Sequence, residues 1–177
     1  MAVSEDDLTT IEAQLGRRPR GVLEVAYYTP DGQPAVIVTA PRLPDGTPFP
    51  TLYYLTDPRL TGAISSLEAA GEMAEMTQRL QSNPQLAENY RLAHEHYLAQ
   101  RNALDDLGTD FSGGGMPTRV KCLHVLAGYA LAEGPERVYL GTEAVARIAE
   151  EDPTLRGTAI PADWPTVEEA RALGGHS

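Results

Sequence analysis

A cysteine, a lysine and a histidine stand close together in one stretch of this chain, and they are its most reactive side chains. Cys122 is the only cysteine and Lys121 the only lysine, because the other 13 basic residues are arginine. His124 follows two residues later, and three glycines, 113–115, come shortly before. A thiol becomes a nucleophile or a metal ligand once it is ionised, and neighbouring cations lower its pKa. Residues 111–124 are therefore the first candidate for a functional site.

Two interpretations of Cys122 and His124 are open. In the structural one, the thiol packs as a small hydrophobic group and the imidazole bonds to a neighbouring helix. In the catalytic one, basic surroundings lower the thiol pKa and the two side chains act as a pair. Two positions on a regular helix are about 200° apart, so the two side chains do not chelate one metal unless the first turn is distorted. No metal site and no cofactor are predicted.

Arg119 and Lys121, which follow the three glycines, are expected to need a negatively charged partner. A helix is predicted to begin at Pro117, which places Arg119 and Lys121 where the helix dipole is already positive and each cation costs roughly 0.3–1 kcal/mol. Acidic side chains, 25 against 14 basic ones, can supply the charge. A bound anion on backbone N–H groups is the alternative, although glycines also serve turns and the phosphate-loop spacing is absent. The candidate anion-binding residues are Gly113, Gly114, Gly115, Arg119 and Lys121, with Cys122, His124, His94, Glu95 and Arg42 as supporting polar groups.

The tripeptide from His94 to His96 is predicted to lie on a solvated helical face. It lacks the His-Glu-x-x-His pattern of metalloproteases. His94 could approach His124 across a pair of helices.

The composition bounds the class of protein. With 177 residues, of which 42% are hydrophobic, the chain can bury one core. A net charge of −11 disfavours nucleic acid and anionic lipid as partners. A single cysteine indicates a reducing compartment, and neither a signal sequence nor an apolar run of ~20 residues is visible. We expect a soluble cytoplasmic protein without membrane insertion, whose partner is a protein or a small anion and whose oligomeric state is open.

The first third of the chain is predicted to form a short helix and three strands. Ser4 and the apolar spacing after it predict the helix. β-branched and aromatic runs at 21–28 and 35–39, separated by an Asp-Gly turn, predict a hairpin. A third strand is predicted at 51–56, after a stiff, proline-dense loop at 41–50.

Helices are predicted to dominate from residue 57 onward. Asp57 and Pro58 start the first of them, and Gly71 separates it from a second. A long helix is predicted from 84 to 107, with Arg101 among its polar positions. The apolar helix from Pro117 to about 132 is expected to be central and buried. The predicted inner face of the long helix consists of Leu86, Tyr90, Ala93, Tyr97 and Leu104.

These elements predict an α+β fold, with a small antiparallel sheet packed against a helical layer. Residues 1–135 are predicted to be a single α+β domain. Residues 136–177, with a small helix near 142–150, are predicted to form a C-terminal helical extension and a loosely held tail.

Four strings carry a family resemblance: 14–17, 39–56, 93–95 and 114–117 together with 119–126. The second begins Thr-Ala-Pro-Arg-Leu-Pro-Asp-Gly, and the last contains Arg-Val-Lys-Cys-Leu-His. Together they resemble an uncharacterised, mainly actinobacterial family catalogued as domain of unknown function five hundred and one, over about residues 12–133. The resemblance implies no activity. The family's genes often lie beside those for a septum-formation initiator and an exopolyphosphatase-like enzyme, which implies a link to cell division.

The resemblance also implies a difference in metal chemistry. Many relatives carry a Cys-x-Cys-Gly turn where this chain has residues 28–32, and a further cysteine in place of Asp57. Together with Cys122 and His124, such cysteines would resemble a thiolate-rich metal site. Asp31 and Asp57 are poor substitutes, so relatives that bind a metal would do so through cysteines that this chain lacks. Packing in the hairpin must replace the metal here.

Two functional hypotheses follow. The first is a noncatalytic binding or interaction module, linked to cell division or envelope processes, with the loop at 41–50 as its site. The second is a phosphate-type anion-binding protein or enzyme, which uses the glycine-rich start of the Pro117 helix with Arg119 and Lys121. The residues do not decide whether the chain is an enzyme.

Overall fold

The structure, a computed structural model, describes residues 3–175; residues 1, 2, 176 and 177, the ends of the predicted domain and tail, lie outside that range. It contains a three-stranded antiparallel sheet and seven α-helices within those residues, so the predicted α+β class is confirmed. In chain order the elements are α1 (Glu5–Leu15), β1 (Val22–Tyr28), β2 (Pro34–Thr39), β3 (Tyr53–Leu55), α2 (Pro58–Ala69), α3 (Glu72–Ser82), α4 (Pro84–Leu104), α5 (Leu123–Glu133), α6 (Tyr139–Glu151) and α7 (Val167–Leu173).

The sheet has the strand order β1-β2-β3, as the two predicted hairpin strands and the third strand require. Ile37 in β2 pairs with Val25 on one side and with Tyr54 on the other. Every residue of β2 is buried, because this central strand is covered on both faces. The turn at 29–33 closes the hairpin through a backbone hydrogen bond from Thr29 N–H to the Gln33 carbonyl.

Local capping signals set the starts of the early helices, as predicted. The Ser4 side chain caps α1, and Asp57 caps α2 by accepting the N–H of Arg59. Asn83 caps α4 by accepting the N–H of Leu86, and proline occupies the first position of both α2 and α4. The predicted apolar stripe of α2 is buried; it consists of Leu60, Ile64 and Leu67.

The inner face of α4 differs from the prediction at its C-terminal end. The helix ends at Leu104 rather than 107, and Leu104 is 49% exposed. Arg101 is buried there instead, with no exposed surface. Its guanidinium donates to the carbonyls of Pro50, Phe111 and Ser112. These carbonyls accept from both terminal nitrogens of the guanidinium, whereas its Nε has no partner within residues 3–175, so an arginine is buried where the apolar Leu104 was expected.

The apolar helix α5 begins at Leu123, so the prediction of a helix start at Pro117 is wrong. Residues 113–121 instead form a tight loop, in which the Gly115 carbonyl accepts the N–H groups of Thr118 and Arg119. Gly115 has a φ of +93°, and a Cβ there would lie 2.5 Å from the Arg119 carbonyl oxygen. The glycines therefore turn the chain back on itself before the helix begins.

The prediction of a central, buried α5 is confirmed. The helix packs between the sheet, where it contacts β3, and the helix α6. Gly141 allows the α6 contact, because a Cβ at this position would lie 2.2 Å from the Leu126 carbonyl oxygen. Within residues 3–175, no helix is long and apolar enough to cross a membrane.

The C-terminal segment packs against the same core. The helix α6 spans Tyr139–Glu151, longer than the predicted 142–150, and most of it is buried. Trp164 is buried and donates its indole N–H to the Thr142 carbonyl at 3.1 Å. The hydroxyl of Tyr27 donates to the Ala159 carbonyl at 2.8 Å and ties the hairpin to this segment. A loosely held tail was expected here. Instead, apolar side chains between α6 and α7 are buried and hold the segment against the core.

Candidate functional site

Cys122 and His124 meet a glutamate where α5 begins. Cys122 directly precedes the helix and has an extended backbone, with φ −152° and ψ 110°. His124 lies in the first turn, and Glu68 comes from the last turn of α2. The ligand-type atoms of the three side chains lie within 4.8 Å of one another. Because Cys122 stands outside the helix, the 200° separation expected on a regular helix does not apply.

The surroundings of His124 favour its charged form. Its Nδ1 lies 3.2 Å from Oε2 of Glu68, and its Nε2 lies 3.2 Å from both the Thr61 carbonyl oxygen and Oγ of Ser65. The Cys122 sulfur and then Glu68 raise the pKa of His124 to about 9, so the imidazolium is favoured at neutral pH. In that form the ring donates one N–H toward Glu68 and the other toward the Thr61 carbonyl.

Cys122 is half-buried beside this cation. Burial acts to raise the pKa of the thiol, but the His124 side chain and the N–H groups of Val125 and His124 outweigh burial and lower it. The structure thus combines the two features that stabilise a thiolate, a neighbouring cation and a helix N-terminus.

Glu68 supplies a negative charge at the start of α5, but it pairs with His124 and not with Arg119 or Lys121. Its Oε2 accepts the N–H of Leu123 at 2.8 Å, which satisfies a free donor in the first turn of the helix. Sequence reasoning missed Glu68, because it reads as an ordinary glutamate near a helix end, 55 residues before its partner. No local pattern indicates this contact.

Cys122 and His124 line a cleft of 470 Å³ between α1, β3 and the start of α5. Two polar atoms of this cleft, Oγ1 of Thr56 and Oε1 of Gln14, are buried and have no hydrogen-bond partner within residues 3–175. Such groups are uncommon in proteins, and a ligand or a water that reached them would satisfy them. The cleft is lined by Gln14, Leu15, Thr51, Tyr53, Tyr54, Leu55, Thr56, Thr61, Cys122, His124 and Val125.

Asp31 and Asp57, at positions where the family resemblance implies further cysteines, also lie together, but around an arginine. The Arg59 guanidinium bonds to Asp31 at 2.7 Å and to Asp57 at 2.7 Å, and it holds the pKa of Asp31 down at about 2. The Arg59 guanidinium thus occupies the position that a metal cation would take between Asp31 and Asp57. Because the guanidinium occupies this position, the residues around Arg59 do not fit a metal centre.

Comparison with known proteins gives one match. The family described as "Protein of unknown function (DUF501)" matches residues 25–146, more than half of the chain. The chain belongs to this family. Neither the curated proteins nor the solved structures contain a match. The DUF501 segment runs from β1 into α6 and contains Glu68, Cys122 and His124, whereas α1 and α7 lie outside it.

A second cleft, of 250 Å³, adjoins the first on this DUF501 chain. Leu15 and Tyr54 line both of them. The exposed arginines of the α1–β1 loop form one wall, and among them Arg17 and Arg20 form no ion pair within residues 3–175, whereas Arg18 pairs with glutamates of α1. We call this cleft the arginine groove. Its lining residues are Leu15, Arg17, Arg18, Pro19, Arg20, Ile37, Thr39, Leu43, Phe49 and Tyr54.

The proline-dense loop at 41–50 forms the other wall of the arginine groove and is braced at several points. Within it, Leu43 N–H donates to the Thr47 carbonyl and Phe49 N–H to the Pro41 carbonyl. Arg42 leaves the groove to pair with Asp105 at 3.1 Å. Arg101 holds the end of this loop to the glycine-rich loop. The spacing of Arg101 four residues after Tyr97 was a sequence signal for burial that the analysis of polar positions missed.

The predicted anion-binding residues lie together around the glycine-rich loop of DUF501. The N–H groups of Gly113, Gly114 and Gly115 form no hydrogen bond within residues 3–175, whereas Lys121 N–H donates to the Gly114 carbonyl at 2.7 Å. The side chains of Arg119 and Lys121 are exposed and form no ion pair within the same residues.

The remaining predicted polar groups have other partners. His94 lies 2.7 Å from Oγ of Ser112, through Nδ1, and Glu95 pairs with Arg91 at the surface. His96 contacts the hydroxyl of Tyr129 at 2.7 Å. Burial lowers the pKa of both histidines. His94 and His124 therefore belong to different sites.

Proposed function

We propose that this DUF501 chain is a noncatalytic binding module that holds an acidic segment of a protein partner in the arginine groove. The observation that carries the proposal is the position of Arg17 and Arg20, exposed and without ion pairs, beside an apolar groove. On a chain of net charge −11, this local positive surface attracts and orients an acidic segment. The proposal includes a cytoplasmic location and the link to cell division or envelope processes that the family resemblance implies.

The composition of the groove supports a polypeptide ligand. Phe49 and Tyr54 stand 6.1 Å apart, centre to centre, and offer aromatic surface next to the guanidinium groups. Aromatic residues and arginine are the types most enriched where protein interfaces bind tightly. The braced loop at 41–50 lowers the entropy lost on binding, because its backbone is already ordered.

A second candidate function is favoured by one observation. The unpartnered N–H groups of residues 113–115 are donors of the kind that bind phosphate-type anions, and Arg119 and Lys121 stand beside them. Arg101 adds a buried guanidinium below the loop that pairs with no carboxylate within residues 3–175. The ligand in this case is a small anion rather than an acidic segment.

Two double variants separate these functions, since each removes two positive charges. In Arg17→Ala/Arg20→Ala the arginine groove is neutralised, and in Arg119→Ala/Lys121→Ala the glycine-rich loop is neutralised. The probe is a fluorescent peptide of alternating glutamate and leucine, followed by anisotropy at low salt. We expect the first variant to weaken binding at least fivefold and the second at most twofold.

The second arm of the test uses inorganic phosphate and polyphosphate as ligands. Their binding is measured as a rise in the midpoint of thermal unfolding. A ligand at 100 times its Kd adds about 2.7 kcal/mol of stability, which is readily measured. Stabilisation that is lost only in Arg119→Ala/Lys121→Ala supports the second candidate. Equal weakening of peptide binding in both variants, or no binding to the wild-type chain at millimolar peptide, overturns the groove proposal.

A further inference from the structure

The Cys122 sulfur has the surroundings of a nucleophile with access to a ligand. It stands at the N-terminus of α5, within 4.8 Å of the charged His124, and it lines a cleft of a size that suits small molecules. A thiolate beside an imidazolium and a helix N-terminus is stabilised by both. This cleft is separate from the arginine groove, although the two share one border.

His124 limits the chemistry that this thiolate can perform. In the charged ring, each N–H group has an acceptor of its own, Glu68 for one and the Thr61 carbonyl for the other. The ring therefore acts as a fixed cation rather than as an acid that passes a proton to a leaving group. Attack on a disulfide needs no such acid, because the displaced sulfur leaves as a stable thiolate.

We propose that Cys122 is a thiolation site, at which its thiolate exchanges with a low-molecular-weight disulfide bound in the cleft. Sγ of Cys122 forms a bond to one sulfur of the disulfide. The other sulfur departs with the electron pair of the broken S–S bond and takes a proton from water. The product is a mixed disulfide between Cys122 and the small thiol.

The mixed disulfide has no internal route of resolution. Cys122 is the only cysteine of the chain, so no second thiol can displace the bound group and close a protein disulfide. The modification persists until a thiol from solution attacks it. This makes the reaction reversible and dependent on the ratio of thiol to disulfide in the surroundings.

Two unpartnered atoms define the class of small thiol. Oε1 of Gln14 can only accept a hydrogen bond. The Nε2 amide group of Gln14 already donates to the Pro34 carbonyl at 2.7 Å. Oγ1 of Thr56, in a side chain that is almost fully buried, can donate or accept. Both atoms are buried, so a ligand with amide N–H and C=O groups satisfies them once the two side chains turn toward the cleft. The cleft thus favours a peptide-like thiol over a simple alkyl thiol.

The test follows the rate of mixed-disulfide formation by the reduced full-length chain, by intact mass, from pH 5.5 to 9.5. Oxidised glutathione supplies amides, and 2-hydroxyethyl disulfide lacks them. We expect the wild-type rate to rise with an inflection clearly below pH 8.5, the ordinary range of a cysteine. In His124→Gln the inflection moves upward and the rate at pH 6.5 falls about tenfold.

Two further variants serve as controls. His96→Gln also removes a half-buried histidine, but one that contacts Tyr129, and we expect its rate to stay within twofold of wild type. Gln14→Ala should slow the reaction with oxidised glutathione at least threefold while leaving that with 2-hydroxyethyl disulfide unchanged. Circular dichroism checks that each variant is folded.

The proposal is overturned if the wild-type inflection lies at or above pH 8.5, or if Cys122 reacts only after unfolding. The wild-type profile decides the matter even if His124→Gln fails to fold. Equal effects of Gln14→Ala on both disulfides reject the peptide-like class of ligand.

Discussion

Two glutamates each form a cluster with positively charged side chains, and the two clusters differ in their roles. Glu143 in α6 is 2% exposed; Arg79 bonds both of its oxygens at 2.8 Å, and Arg147 bonds one of them at 2.8 Å. Glu68 in α2 is 22% exposed, and its partners are the backbone of α5 and the ring of His124. One carboxylate is thus enclosed by permanent cations, and the other by a group that titrates.

This difference separates a structural cluster from a reactive one. Arginine stays charged at every accessible pH, so the cations of the Glu143 cluster, which joins α3 to α6, do not change their charge. The Glu68 cluster includes an imidazole and a thiol, whose charges change between mildly acidic and basic pH, and the thiol lines a cleft. A buried carboxylate therefore indicates function only when its partners can change their charge and reach a ligand.

The largest effect is expected from Glu143→Gln. The substitution keeps the volume of the side chain but removes the buried partner of Arg79 and Arg147, which keep only the more exposed Glu75 and Glu72. Breaking a buried ion pair in this way costs about 3 kcal/mol. Urea denaturation measures the loss. The control is Glu75→Gln, since Glu75 also pairs with Arg79 but is 43% exposed; it should cost less than about 1 kcal/mol. Similar losses in the two variants would contradict the structural role of Glu143.

A smaller effect is expected from Glu68→Gln. The amide oxygen still accepts the N–H of Leu123, so only the charge that faces His124 and the helix N-terminus is lost. We expect a loss of about 1–2 kcal/mol in urea denaturation, in the range of helix caps and hydrogen bonds to charged groups. Glu95→Gln, at an exposed pair with Arg91, should change stability by less than about 0.5 kcal/mol. A loss as large as that of Glu143→Gln would show that the two clusters do not differ.

The helix caps and the hairpin show what could be predicted from the sequence. The caps at Ser4, Asp57 and Asn83 depend on residues two or three positions away, and the hairpin depends on its own turn, so local patterns predicted these elements. The α+β class follows from them. The family resemblance was also visible in the sequence, because its strings are long.

The site itself depends on contacts that local patterns do not contain. The start of α5 was misplaced because Pro117 is a common first residue of a helix, whereas the glycines before it form a closed loop. Glu68, from another helix, accepts the N–H of Leu123 at the actual start of α5. Arg101 donates to backbone carbonyls of two loops. A helical pattern shows that a position faces inward, but not whether a distant carbonyl or carboxylate will meet it there. For that reason Arg101 was assigned to the wrong face.

The smallest effect concerns the titration of His124 and Cys122 in the Glu68 cluster. Nuclear magnetic resonance should show His124 with a pKa of about 9, and His96 below its ordinary 6.5 because burial lowers it. His124 binds its proton more tightly in the folded chain than in the unfolded one. The stability that this adds is fully present below pH 6.5 and is lost as the pH rises through about 9.

Cys122 titrates with the opposite sign, since its lowered pKa adds stability that is lost as the pH falls. Cys122→Ser therefore isolates the contribution of His124, whose pKa should remain above 6.5 because Glu68 is still present. The ring is 30% exposed and has lost the sulfur, so we expect a decline of only about 1 kcal/mol in the free energy of unfolding between pH 6 and 9. The decline should disappear in Cys122→Ser/His124→Gln. If it persists there, the proton is bound elsewhere, and the fixed imidazolium beside Cys122 loses its support.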